Sequence, residues 1–267
     1  MIEKRPKPAG RSAAGSANAT ADRAIDILLL FSEEQPVWTV NDIAAHFSMP
    51  RSTIYRYVSS LRGYALIIED GRGGGGYRLG PRVFALARVA RSNTSVIRIA
   101  APHLASLSER YGELVVLNQR VGHEMITLDR IESRHRVAIS YTRSQLLPWP
   151  ATGSAKLLLA FAPEPERTPL MKLLKPQRYT PKTLATRAAM LKALERIRRD
   201  GYALTDEERD EGVWGVAAPI SLRAEVQHCI AIAVPRFRIT AKKLPGVITA
   251  TTAAATAITH ALAAVDF

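Results

Sequence analysis

The chain has 267 residues, a formal net charge of +13 and a single cysteine, Cys229. That length allows two domains with real cores, one cysteine excludes an intrachain disulfide framework, and the cationic excess favours polyanionic partners. The charge is spread along the chain, with 13 Lys/Arg against 8 Asp/Glu up to residue 91 and 24 against 16 beyond it. Only local patterning can therefore locate a nucleic-acid surface.

Residues 1–20 carry Lys4, Arg5, Lys7 and Arg11 among Pro, Gly, Ser and Ala. With no apolar period they read as a disordered basic arm, and they lack the apolar core of a signal peptide. The stretch from Asp22 to Ala90 reads as helix, short strand, helix, helix, two-strand wing and a further helix. A first helix over about Asp22–Ser32 puts Ala24, Ile27, Leu28 and Phe31 on one stripe. Asn41 is placed to cap the second helix, whose apolar face is Ile43, Ala44 and Phe47. His46 to Met49 form the turn, with Ser48 either ending that helix or capping the next.

The third helix carries the decisive pattern. Pro50 sits at its first position, where a missing N–H costs nothing. Ile54, Val58 and Leu61 recur at i, i+4 and i+7 as a buried stripe. The opposite face offers Arg51, Ser52, Thr53, Tyr55 and Arg56 to phosphates and base edges. That is the division of labour of a recognition helix. Gly63 ends it, Tyr64–Ile68 and Tyr77–Leu79 read as two strands, and Glu69–Gly76 as the loop between them. The glycine run 73–76 lacks the Gly-Lys-Ser/Thr ending of a phosphate loop. It reads as a wing tip from which Arg72 reaches a phosphate or the minor groove. Residues 21–80 are thus expected to form a winged helix-turn-helix domain.

Residues 81–92 follow as a linker helix with Val83, Leu86, Ala87 and Ala90 on one apolar face. A second domain, 93–267, opens with a helix over Ser95–Tyr111, with Ile99, Leu104 and Leu107 as core candidates, and Gly112 stops it. Strands are expected at Glu113–Arg120, Met125–Ile131 and Arg136–Tyr141, and a helix over Gly153–Phe161. A short helix at Leu170–Leu174 lies in a proline-rich loop, and another runs from Thr183 to Asp200. Strands at Tyr202–Thr205, Val213–Ile220 and His228–Val234 precede a terminal helix. Threonines and His260 interrupt that helix, and Val247, Ala254, Ile258, Ala261 and Val265 give it one packing face, so it reads as packed rather than membrane-spanning. Mixed helices and antiparallel strands make the fold α+β.

Asp22 to Leu28, Asp42-Ile43-Ala44, Pro50 to Arg56 and Tyr77 to Gly80 resemble the successive signatures of IclR-type transcriptional regulators. The likeness continues through Ala151–Leu159 and Gly201–Ile220 into the last helix. It implies a GAF-like C-terminal effector-binding and oligomerisation domain, and a linker helix that joins the domains and contributes to dimerisation.

The sharpest candidate ligand site is Ala151 to Lys156, where small residues let a ligand approach and a helix start offers free N–H groups to an anion. Capping alone would also explain Gly and Ser there. The resemblance favours Gly153 and Ser154 as carboxylate-holding positions, leaving Lys156 to structure or an interface. It further assigns effector contacts to Thr205, Val213 and Gly215 and to Ala231 and Ala233, and period two puts Cys229 on their face. Several family members have an acid, a cysteine or serines at these positions. The smaller, apolar residues here imply a roomier cavity and an effector with an apolar or aromatic body and an acidic group. Trp214 either packs in the core or lies against the ligand, and the core is the favoured reading.

The acidic run Asp206 to Glu211 reads as a turn and solvated helix start, and Cys229 has no visible base. The expectation is therefore a ligand-responsive, sequence-specific DNA-binding regulator of a catabolic operon, not an enzyme, with no cofactor or metal. It would be cytoplasmic, homodimeric or homotetrameric, and would act on double-stranded operator DNA. The alternative is a small-molecule-independent DNA- or RNA-binding protein whose second domain only oligomerises. An enzyme acting on an acidic metabolite through Thr152–Lys156 is the remaining rival.

Overall fold

The computed structural model describes residues 19–32, 35–71, 74–93, 95–139, 150–222 and 225–264; Lys4, Arg5, Lys7, Arg11, Arg72 and Val265 lie outside them. The chain divides into two units, one ending at Asn93 and one starting at Thr94.

In the first unit, α1 (Ala19–Leu28) starts before Asp22, so residues 19 and 20 belong to it and not to the arm. It also stops short of Ser32; Ile27, Leu30 and Phe31 are buried, the last two from the turn that follows. After β1 (Trp38–Thr39) comes α2 (Val40–Phe47), capped by Thr39 and not by Asn41. Thr39 Oγ1 accepts the Asp42 N–H at 3.2 Å while the Asp42 carboxylate accepts the Thr39 N–H at 3.1 Å, a reciprocal capping box. Ser48 ends α2 in the left-handed region, φ 54°.

Pro50 stands one position earlier than expected. With ψ at 140° it is the N-cap of α3 (Arg51–Gly63), and its carbonyl accepts the N–H of Thr53 and Ile54. Ile54, Val58 and Leu61 are buried against α1 and α2. The wing is three-stranded: β2 (Ile67–Glu69) and β1 flank β3 (Gly76–Leu79), all antiparallel. Gly80 then brings the chain against the turn after α3, where its N–H bonds the Leu66 carbonyl. A Cβ there would collide with the Ala65 carbonyl. In α4 (Pro81–Asn93) the expected apolar stripe is not a core within one chain: Val83 is half-buried, while Leu86 and Ala87 are exposed. Phe84 and Val89 are exposed as well.

The second unit begins with α5 (Ser95–Tyr111), whose Leu104 and Leu107 are buried and Ile99 half-buried; Gly112 stops it at φ +71°. Then come β4 (Leu114–Val121) and β5 (Glu124–Ile131). Residues 136–139 form no strand; there the Val137 carbonyl accepts from Arg238, whose guanidinium also grips the buried Glu113. After α6 (Gly153–Ala160), α7 (Glu164–Leu173) is twice its expected length. The Pro163 carbonyl accepts the N–H of Glu166 and Arg167; Pro165 lies in the first turn, where it costs little, and Pro169 stands inside the helix.

α8 (Arg187–Asp200) is capped by Thr186 rather than starting at Thr183. Thr183 Oγ1 is engaged elsewhere: it accepts the N–H of Tyr179 and Thr180 and donates to the Glu208 carbonyl. The remaining elements are β6 (Ala203–Asp206), β7 (Val213–Leu222), β8 (Glu225–Pro235) and α9 (Leu244–Ala263).

The five strands form one antiparallel sheet in the order β5-β4-β8-β7-β6. Because strand side chains alternate, each strand serves two cores. Trp214, Val216, Ile230 and Ile232 meet α5 and α9 on one face, while Ala217, Cys229 and Ala231 meet α6, α7 and α8 on the other. α9 is long and apolar enough to cross a bilayer, yet it packs along β7 and α5 through Val247, Thr251, Ala255, Ile258 and Leu262. Ala254 and Ala261 only border that stripe. The second unit is thus α+β and GAF-like, and the first is a winged helix-turn-helix.

A buried ion pair ties α6 to the turn after β6. Lys156 of α6 is fully buried, and its Nζ donates to Glu208 Oε1 at 2.5 Å. Burial pushes the Lys156 pKa down and the Glu208 pKa up, and each charge opposes the other's shift.

Two outcomes test these constraints. Gly80→Ala should strip hydrogen-exchange protection from the Ile54 and Val58 amides by roughly 2–3 kcal/mol, through the backbone clash it creates. Gly63→Ala, whose Cβ would meet nothing within 4 Å, should leave them unchanged. Lys156→Met should destabilise the second unit in urea by about 3–5 kcal/mol by stranding a buried carboxylate, and adding Glu208→Leu should restore most of that loss.

Candidate nucleic-acid interface and ligand pocket

The outer face of α3 is set by its period. Burying Ile54, Val58 and Leu61 leaves Arg51, Ser52, Tyr55 and Arg56 exposed, with Thr53 half-buried at the border. No acid occurs among the 13 residues of α3. Among the described residues, no carboxylate pairs with Arg51 or Arg56 within 4.0 Å. Other arginines nearby are committed: Arg62 pairs with Glu69 at 3.1 Å and stacks over Tyr77, and Arg78 lies 3.8 Å from Asp70. The first two turns of α3 therefore present two cations that no carboxylate among the described residues neutralises. Arg72, expected at the wing tip, is outside the described residues.

In the second unit the expected positions converge. Gly153, Ser154, Thr205, Val213, Gly215, Ala231 and Ala233 all line one pocket of about 550 Å³, its open mouth included. Its floor is the sheet, where Ala231 and Ala233 of β8 sit beside Leu114, Val116 and Asn118 of β4, spaced by two on the same face. One wall is the start of α6. Thr152 caps that helix by accepting the Ala155 N–H, and its carbonyl takes the Lys156 N–H. The N–H groups of Gly153 and Ser154 are left without partners inside the helix, as at any helix start.

Gly153 has a specific reason to be glycine. A Cβ there would lie 3.3 Å from the Gly215 carbonyl oxygen and 3.5 Å from Ala217 Cβ. Gly215 answers it, for a Cβ on that residue would meet Thr205 Oγ1 at 2.6 Å. Thr205 thus occupies the space a side chain at 215 would have taken, and it donates to the Gly215 carbonyl at 3.2 Å. The extra room expected at Gly215 is partly filled; the room that remains lies over Ala231 and Ala233.

The polar lining is ordered. Asn118 Nδ2 donates to Ser154 Oγ at 3.0 Å, and Thr127 Oγ1 donates to Asn118 Oδ1 at 2.8 Å. Asn118 was invisible in sequence because a polar residue in a strand reads as solvent-facing; here it is buried. Cys229 shares the face of Ala231 but does not line the pocket, and burial pushes its thiol up to about 12 against weaker hydrogen bonding from Ser154 and Asn118. Trp214 packs in the opposite core, with its indole N–H on Asp206 at 2.7 Å.

The acidic run is the turn expected, but it does not open a solvated helix. It is the anchored turn between β6 and β7. Glu208 is buried on Lys156, and Asp206 and Glu207 pair with Lys182 and Arg236. Glu207 takes a left-handed φ of 57°, and its carboxylate accepts the Gly212 N–H. Arg209 and Asp210, which composition hid inside an acidic run, stand exposed and line the pocket. Among the described residues no group of His, Cys, Asp and Glu is arranged to hold a metal ion.

Residues 89–260 match the bacterial transcriptional regulator IclR C-terminal family, and residues 20–65 match the IclR helix-turn-helix domain. The chain is 32% identical over 202 residues to the HTH-type transcriptional regulator XynR of Escherichia coli, covering 75% of this chain and 79% of that one. It is 29% identical to the regulator BhcR of Paracoccus denitrificans, with 98% and 96% covered. In structure it resembles an IclR regulator from Silicibacter (TM-score 0.81, 24% identity, 91% and 95% covered). It also resembles an IclR homologue from Microbacterium hydrocarbonoxydans crystallised with 4-hydroxybenzoate (TM-score 0.76, 24% identity, 92% and 99% covered). Two matched segments in the family's order, on a winged helix-turn-helix followed by an antiparallel sheet with helices on both faces, place this chain in the IclR family of bacterial transcriptional regulators, with a helix-turn-helix DNA-binding domain.

Proposed function

We propose that this regulator is a cytoplasmic, ligand-responsive repressor or activator of a catabolic operon. In it, α3 reads operator DNA, and the pocket beside α6 senses a small organic acid with an apolar or aromatic body. The observation that carries the sensing half is the pocket itself. An apolar floor of Leu114, Val116, Ala231 and Ala233 ends at a helix start whose Gly153 and Ser154 N–H groups favour an anion. The 4-hydroxybenzoate bound by the Microbacterium homologue is an acid of that class.

The reading half rests on the exposed row Arg51, Ser52, Tyr55 and Arg56, laid into a major groove with Arg72 at the wing. The exposed Phe84, Leu86 and Val89 of α4 give a second copy an apolar surface, and a homodimer or homotetramer would place recognition helices on repeated half-sites. Effector binding would change operator affinity only through unequal affinity for two arrangements of the subunits.

Arg51→Ala and Arg56→Ala should each weaken binding to the protein's own promoter by about 1–3 kcal/mol where the side chain reads a base, or reduce the salt slope by about one where it meets phosphate. Fluorescence anisotropy across a salt series separates the two, and unchanged binding in both variants refutes the assignment. Ala233→Leu should fill the floor of the pocket. It should abolish the thermal shift given by aromatic and short-chain acids in a ligand screen while leaving promoter affinity within a factor of two. A chain that no such acid stabilises, with wild-type sequence and intact promoter binding, would support instead a second domain that only oligomerises.

A further inference from the structure

Arg209 is the one cation in the pocket lining among the described residues. Its backbone does not drift, because the residues before it are fixed three ways. Glu208 is buried on Lys156, the Glu208 carbonyl accepts from Thr183, and the Glu207 carbonyl accepts from Thr180 at 2.6 Å. Its guanidinium lies 4.3 Å from the centroid of the Tyr179 ring. Burial raises the Tyr179 hydroxyl pKa, while the Arg209 charge and a hydrogen bond from it act the other way. So Tyr179 holds the guanidinium by its ring face, while its hydroxyl donates to Gln177 Oε1 at 3.0 Å.

A guanidinium has five N–H donors, and stacking on a ring leaves its edge available for a planar anion. Among the described residues no carboxylate pairs with Arg209 within 4.0 Å. Asp210 lines the same mouth but does not pair with it. Lys156, a second basic group near this wall, is fully buried and paired with Glu208.

We propose that Arg209 is a specificity-determining residue that reads the effector's carboxylate, with Tyr179 positioning its guanidinium at the pocket mouth. This rests on the pocket being the effector site. It adds that charge discrimination comes from a side chain on the β6–β7 turn as well as from the N–H groups of α6. A helix start alone offers an anion only partial charges. A charge-assisted guanidinium contact adds a stronger and more directional preference.

The test compares isosteric probes that differ only in charge, benzoate against benzamide and 4-hydroxybenzoate against 4-hydroxybenzamide, by calorimetry on the full chain. The wild type should prefer the acid in at least one pair by tenfold or more. Arg209→Gln should cut that acid-to-amide ratio to about threefold or less while changing amide affinity little, and Arg209→Lys should retain part of the ratio. Tyr179→Leu should narrow the ratio in the same direction. A residue that merely braced the turn would weaken acid and amide alike and leave the ratio intact, and that result overturns the proposal. So does a wild type with no preference for either acid. If the acids bind, Ala233→Leu blocks them and Arg209→Gln leaves the ratio unchanged, the pocket stands as the effector site and only the role of Arg209 falls.

Discussion

The second unit depends on one close approach. The first turn of α6 rests on the backbone of β7 with two glycines, Gly153 and Gly215, where side chains would otherwise separate helix from sheet. Cavities in proteins are normally filled by the side chains that line them. Here small residues at the contact let the helix start come down onto the sheet at one end. The sheet beyond it carries Ala231 and Ala233 on β8, beside Leu114 and Val116 on β4. The same residues thus bring polar backbone groups in and keep apolar volume out. Lys156 and Glu208 complete the arrangement by joining α6 to the turn after β6 through the core. A buried ion pair is weak evidence of stability. Its consequence here is geometric, since both of its residues lie next to pocket-lining ones, Ser154 two positions before Lys156 and Arg209 directly after Glu208.

Much of this was legible in the residues because the periods were clean. The 3.6 spacing of Ile54, Val58 and Leu61 fixed which face of α3 is exposed, and the period of two in β8 put Ala231 and Ala233 on one side of the sheet. What escaped were competitions between local signals. Asn41 and Thr39 are both good capping residues; Thr39 wins because Asp42 stands three positions after it and closes the reciprocal box. Thr183 looked like a helix start, but its hydroxyl serves the turn at Tyr179 and Thr180 and the Glu208 carbonyl, and Thr186 takes the cap. The stripe of α4 has the right spacing for a core and no core within one chain to join.

The site shows the same division. Small residues announce themselves, so Gly153 and Gly215 could be read directly. Partners distant in sequence could not. Asn118 gains its meaning from Ser154, 36 residues away, and Glu208 from Lys156, 52 residues away. A run of five acids within six residues suggests solvent, because isolated charges stay hydrated. Only the tertiary contacts of Asp206, Glu207 and Glu208 show that three of them are pinned and that the arginine among them is presented to the pocket.

The chemistry of the lining favours holding a molecule over transforming one. A nucleophile or general base must be poised near the working pH. The thiol nearest the pocket, Cys229, is displaced to about 12 by burial and remains a thiol at neutral pH. Ser154 Oγ accepts from Asn118, and Thr205 Oγ1 donates to the Gly215 carbonyl, so neither hydroxyl faces a base within the lining. The buried carboxylate of Glu208 is held by Lys156, and the one acid in the lining, Asp210, is exposed. Polar groups that satisfy one another keep a fixed shape and offer a ligand fixed dipoles, which is the requirement for selective binding without turnover. Under the function proposed above, with no carboxylate among the described residues paired with Arg51 or Arg56 in the other unit, occupancy of such a pocket would act through its free energy of binding.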